Sequence, residues 1–369
     1  MNNDSDSITK DEEIEGLAGG DEDASWGEYP IDTFLIRNES RTIHDVLRRI
    51  EKGSYIMTPE FQRDFIWDDN KQSKLIESVL LRIPLPVFYV AEDIQGRMIV
   101  VDGLQRLTTF QRFVKNELAL NLPNQKELHK KQFKDLSPKF QNRVEDFNLI
   151  FYIIDAKVPE RARLDIFERV NSGVVLTRQQ MRNCLYLGAA TRFLKDEAAT
   201  PLFRAATGES LKSSTMRDRE FVNRFCAFQR LSLDEYKGDM DEYLARVLTS
   251  MNGLPPQELK KLSDQFRRGL ANNYEVFNRH AFRKHTRPDQ SRSVLNASLW
   301  DVLSTGLSCY PEDHVEAHAK ALRTAFYALM DDADFSQAIT YSTNDPKKVK
   351  LRFKLARQMF QEVLGAHAS

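Results

Sequence analysis

The sequence predicts an α+β part followed by an all-helical part. Two prolines, Pro84 and Pro86, rule out helix just before the apolar run "VFYVA", and a second short apolar run, "MIVV", follows within ten residues. A third, "LIFYII" from Leu149, is short and rich in isoleucine and aromatic residues, which marks a fully buried strand. From Pro159 onward the apolar residues recur at helical spacing almost to the end of the chain. These patterns divide the sequence into a leader over 1–34, an α+β domain over 35–190 and a helical domain over 191–369. The last boundary is soft by about ten residues, because the "TRQQM" helix fits either side.

Within the α+β part the elements follow in order. "SRTIHDVLRRIEKG" reads as a helix capped by Ser40 or Thr42, with Ile43, Val46, Leu47 and Ile50 on one face and Gly53 ending it. "SYIMTPEFQRDFIWDDN" reads as extended chain. Asp68 or Asp69 then caps a helix with Leu75, Ile76, Val79 and Leu80 on its apolar face. Strands over 87–91 and 98–101 are joined by the turn "QGR", and the helix after Gly103 buries Leu107, Phe110 and Val114. Ser137 and Pro138 start another short helix before the "LIFYII" strand.

Composition sets the outer limits. A chain of 369 residues, 41% apolar and 29% charged, has ample material for a large core. Cys184, Cys226 and Cys309 lie far apart with no C-x-x-C spacing, so neither a disulfide framework nor a zinc knuckle is expected. No apolar run approaches the roughly 18 residues of a membrane span, and the N-terminus is acidic, so a cytoplasmic protein without membrane contact is expected. Residues 1–28 hold ten acidic side chains against one lysine, a local charge of −9; the whole chain is −1, which leaves +8 for the rest. So acidic a leader has too little apolar surface to offset ordering entropy, and disorder is expected. It is read as a solubilising tail, with a nucleic-acid mimic folded onto a basic surface as the rival reading.

Four polar clusters stand beside apolar structure: Gln62 and Arg63 in "PEFQR", Asp102, Gln105 and Arg106 in "VDGLQR", Asn171 in "FERVNSG", and Arg178 with Gln179. A strand, an Asp-Gly turn and a helix N-terminus form a recognised physical device. The free N–H groups of the first helical turn attract phosphate, Gly103 allows close backbone approach, and Asp102 at the strand end suits a divalent cation or a water. An arginine in that turn adds a fork for two phosphate oxygens. Taken singly, each piece has a plainer reading: Asp102 as a helix cap, the arginines as surface residues, Asn171 as a turn.

Together, "PEFQRDFIWDDNKQSKLIESVLLRIPLPVFY", "VVDGLQRLTTF" and "IFERVNSGVVLTRQQMRN" resemble, in order and over about residues 38–190, the N-terminal domain of the GmrSD type IV restriction enzymes. That resemblance implies a ParB/sulfiredoxin-like nucleotidase fold, an NTP bound with a divalent cation, Mg2+ by expectation, and a role in defence against foreign or modified DNA. Carried over by motif, Asp102, Gln105 and Arg106 match the family's catalytic positions, with Asp102 as metal ligand. Gln62, Arg63, Gly103 and Asn171 match the nucleotide-binding ones. Leu104 stands where the family has a glutamine, which puts hydrolysis in doubt and leaves a non-hydrolysing nucleotide or DNA sensor as the alternative. A scaffold for protein contacts is the third reading.

Relatives often append a His-Asn-His nuclease. Around His280 and His285 the required ββα pattern is missing, so a nuclease or other effector is expected on a partner chain. The segment "FRKHTRPDQSR" instead gathers Arg283, Lys284, Arg287 and Arg292, read either as a solvated loop or as a nucleic-acid surface without a stacking platform. His314 and His318 sit four apart but lack a third ligand.

Overall fold

The computed structural model describes residues 14–17, 36–57, 67–93, 95–170 and 177–365. The chain forms two compact units, one of residues 26–185 and one of residues 186–369 with 1–25.

The first unit is α+β, built on a five-stranded mixed sheet. Its elements are β1 (Ile36–Thr42), α1 (Ile43–Glu51), β2 (Tyr55–Ile56), α2 (Asp69–Leu80), β3 (Phe88–Glu92), β4 (Met98–Asp102), α3 (Leu104–Val114), α4 (Pro138–Glu145), β5 (Asn148–Ile154), α5 (Glu160–Val170) and α6 (Arg178–Leu185). The strand order is β1-β5-β3-β4-β2. β3 runs antiparallel to β4 and parallel to β5, and β1 closes the edge antiparallel to β5. Val90, Val100, Phe151 and Ile153 point from one sheet face into a core shared with Val46, Ile76, Val79, Leu107 and Phe110 of the helices. The caps follow the sequence: Thr42 Oγ1 accepts from Asp45 N, and Asp68 from Lys71 N.

Two features depart from expectation. β1 is a strand despite its polar run "RNESRT", because pairing with β5 and the bonds of Arg37 to Glu92 (2.9 Å) and Asp155 (3.3 Å) hold it. β5 is not fully buried: along it exposure alternates, and Ile150 is 44% exposed while its neighbours Leu149 and Phe151 lie in the core. A strand next to a polar edge strand is covered on one face there, so the period of two reappears.

The second unit is helical. It comprises α7 (Ala189–Ala198), α8 (Pro201–Thr207), α9 (Arg217–Arg230), α10 (Met240–Asn252), α11 (Pro256–Phe277), α12 (Ala297–Leu307), α13 (Glu312–Asp331), α14 (Ala333–Thr340) and α15 (Pro346–Leu364). α12 is buried almost all round and packs on α9, α11, α14 and α15. At its centre Asp301 accepts from Arg224 at 2.6 and 2.8 Å and from Arg352 at 2.9 Å, all three side chains being buried. A buried carboxylate between two guanidiniums ties three helices together; removing it would strand two charges.

Four residues of the acidic leader are ordered on this unit, contrary to the expectation of disorder there. Glu15 N donates to Leu295 O at 3.0 Å, Ala297 N donates to Glu15 O at 2.9 Å, and Lys284 Nζ bonds the Glu15 carboxylate. Ile14 and Leu17 pack on the helical core. Paired backbone groups, two apolar side chains and an ion pair offset the ordering entropy that composition alone left unmet.

Candidate functional site

β4 ends at Asp102, Gly103 turns the chain and α3 begins at Leu104. Gly103 has φ +104°, and a Cβ there would stand 2.3 Å from Phe88 Cδ1. Both the left-handed backbone and the aromatic ring beneath it require glycine. Gly103 is the N-cap and has no side chain of its own to cap α3. Asp102 is thus not a cap, and the first-turn N–H groups keep their affinity for an anion.

Arg106 occupies a different place from the one its sequence position suggests. Its Nη2 donates to Asp102 Oδ2 at 2.7 Å and to Val87 O at 3.1 Å, and its Nη1 donates to Pro86 O. The guanidinium carbon lies 4.1 Å from the Phe88 ring centroid, a cation–π contact. Burial pulls the Arg106 pKa below its usual value, and Asp102 partly restores it. The side chain is 8% exposed. Arg106 therefore staples the end of β4 to the chain leading into β3. The spacing carried the signal: Asp102 and Arg106 are four residues apart, the separation of a helical ion pair.

The Asp102 side chain is 39% exposed, and Oδ2 faces Arg106. Gln105 Oε1 accepts from Trp67 N at 3.4 Å, which sets the chain just after Gln62 and Arg63 beside the motif. Gln62, Arg63 and Asn171 themselves lie outside the described residues. Leu104 is half-buried against the sheet core, so a side chain at this position contributes to packing. Arg178 bonds Asp165 at 2.9 Å and so joins α6 to α5, and Gln179 is buried and accepts from Arg182 within α6.

One feature escaped the sequence reading. Tyr89 stands opposite Asp102 on the β3–β4 ladder and stacks on Tyr152 of β5, with centroids 5.5 Å apart and planes at 29°. Both rings are partly exposed. Only the strand register, invisible in either strand alone, joins an aromatic pair to the carboxylate.

Residues 43–187 match the sequence model of the GmrSD restriction endonuclease N-terminal domain. This segment is a GmrSD-type N-terminal domain. No curated protein and no solved structure matches the chain. The match of this domain suggests a role in restriction, in defence against modified DNA, with DNA and a nuclease among the partners such a role suggests. The GmrSD domain contains Asp102, Gly103, Gln105, Arg106 and the Tyr89–Tyr152 stack; the helical segment after residue 187 lies outside the match.

The basic segment of the helical unit is corrected in part. Arg283 is 1% exposed, bonding Thr207 O, Ser210 Oγ and Ser293 O, so it is a structural residue and no surface contact. Lys284 is engaged by Glu15 and Thr340. Arg287 and Arg292 are exposed. His280 and His285 are buried and stacked at 4.8 Å. No group of three or more metal-ligating side chains occurs among the described residues, and no described helix is long and apolar enough to cross a membrane.

Proposed function

We propose that the GmrSD-type domain is a ParB-like module that binds a nucleoside triphosphate with Mg2+ and acts, with a partner effector, in defence against modified DNA. The observation that carries this reading is the uncapped N-terminus of α3 directly behind the Asp102 carboxylate. The amide dipoles would take the terminal phosphates, and the Tyr89–Tyr152 face offers a stacking surface for the base. A single carboxylate suits Mg2+, which keeps several waters and completes its shell with phosphate oxygens. Gln62, Arg63 and Asn171 enter as further contacts to phosphate, ribose or base through the motif match alone.

One observation favours a non-hydrolysing sensor as the second reading. Arg106 is already committed to Asp102 and two carbonyls, so it is poorly placed to stabilise charge on a transferring phosphoryl group. Calorimetric titration with each NTP and Mg2+, beside a phosphate-release assay on wild type and Asp102→Asn, separates the readings. Binding with Asp102-dependent release supports the nucleotidase, and binding without release supports the sensor. No binding of any NTP refutes both.

A further inference from the structure

At the C-terminus of α2 the chain makes an unusual choice. Ile83 N bonds Ser78 O at 2.9 Å and Arg82 N bonds Val79 O at 3.0 Å, the paired bonds of a Schellman ending. The left-handed residue of such an ending is most often glycine, yet here it is Arg82, with φ +59°. Leu81 and Ile83 on either side are 59% and 47% exposed, so a cation and two large apolar side chains stand out together.

Beside them opens a cleft of about 500 Å³ lined by Arg82, Lys139, Asn142, Arg143, Asp146 and their neighbours. Three cations against one carboxylate give it a net positive lining. Arg143 is anchored to Leu80 O at 2.9 Å, which fixes one charge against the end of α2. Arg82 and Lys139 are exposed and make no ion pair among the described residues. An open, basic concavity fits a phosphodiester backbone, and an exposed aliphatic pair on a tight turn fits the apolar wedge that enters a DNA minor groove between base steps.

We infer that the Leu81–Ile83 turn and its cleft form a duplex-DNA contact separate from the Asp102 site, in which Arg82, Lys139 and Arg143 hold phosphates and Leu81 and Ile83 wedge a base step. The inference rests on this surface and not on the nucleotide reading, and its test omits nucleotide. The full chain is titrated with a 25-bp DNA duplex carrying 2-aminopurine, by anisotropy at several salt concentrations. Three phosphate contacts predict a slope of log K against log salt near −3 (about −0.9 each). R82G combined with K139A should bind at least tenfold more weakly at low salt and reduce that slope by about two. R82G alone should leave the melting temperature unchanged or raised, because glycine suits the turn, so weaker binding cannot be ascribed to unfolding. Leu81→Ser with Ile83→Ser should weaken binding at unchanged slope and remove the 2-aminopurine unstacking signal. R287A/R292A should bind as wild type. The inference is overturned if the chain binds no duplex at low salt, if R82G/K139A keeps the wild-type slope, if R287A/R292A carries the loss, or if an RNA duplex of the same sequence binds equally well. Loss of NTP binding with DNA binding intact would sink the nucleotide reading alone.

Discussion

Replacing Arg106 by alanine separates a staple from a ligand clamp. The guanidinium donates to Asp102, Val87 O and Pro86 O and rests on Phe88, so truncation breaks three bonds from a charged donor. Each such bond contributes about 1.5–3 kcal/mol, but Pro86 and half-exposed Asp102 regain water, which returns a large share. A net loss of about 3 kcal/mol is expected for the α+β unit. At a tenfold change per 1.4 kcal/mol, β3 and β5 amides that exchange through opening of that unit should exchange over 100-fold faster (about 3 kcal/mol). Hydrogen exchange with mass spectrometry localises the effect to this unit and leaves the helical unit as internal control. Arg106→Lys should fall between, since an ammonium keeps the charge but not the fork. Exchange within a factor of about three of wild type, together with lost NTP affinity, would refute the staple and return Arg106 to the ligand.

Three further outcomes are expected. Gly103→Ala must bear both φ +104° and a Cβ 2.3 Å from Phe88, so it should cost about 2–4 kcal/mol, visible as a lowered melting temperature; a loss under about 0.5 kcal/mol would contradict the geometry. Asp301→Asn leaves Arg224 and Arg352 buried without a counter-charge and should destabilise the helical unit by about 3–5 kcal/mol, read from the fluorescence of buried Trp300 in urea. Burial lowers the pKa of His280 and His285 below 6.5, so the unfolded chain takes up protons first. Stability should be full above pH 6.5 and fall as pH drops through 6.5 toward the lower folded values, and His285→Phe should flatten that slope in melts between pH 7 and 5.

The helices and the β3–β4 hairpin were legible because their signals are local: Asp68 as cap, the spacing of Leu75, Ile76, Val79 and Leu80, and the prolines before β3. What was not legible depends on partners distant in sequence. β1 holds one isoleucine in an otherwise polar strand, and its pairing with β5 spans more than a hundred residues. Residues 14–17 look like the rest of an acidic leader until Leu295 and Ala297 supply a backbone to pair with. At the site, the Asp-Gly junction was readable as a turn into a helix. The direction of Arg106 was not, because its destination is a pair of carbonyls that no sequence pattern announces.

Those two carbonyls belong to the stretch that runs from Arg82 to Phe88, with Pro84 and Pro86 stiffening it. If release of Arg106 from Pro86 and Val87 loosens this segment, the Leu81–Ile83 turn at its other end loosens with it. The two ends of one short, stiff segment are then linked thermodynamically. A ligand that favours the released arginine and one that favours the anchored turn would oppose each other, each weakening the other by the same factor.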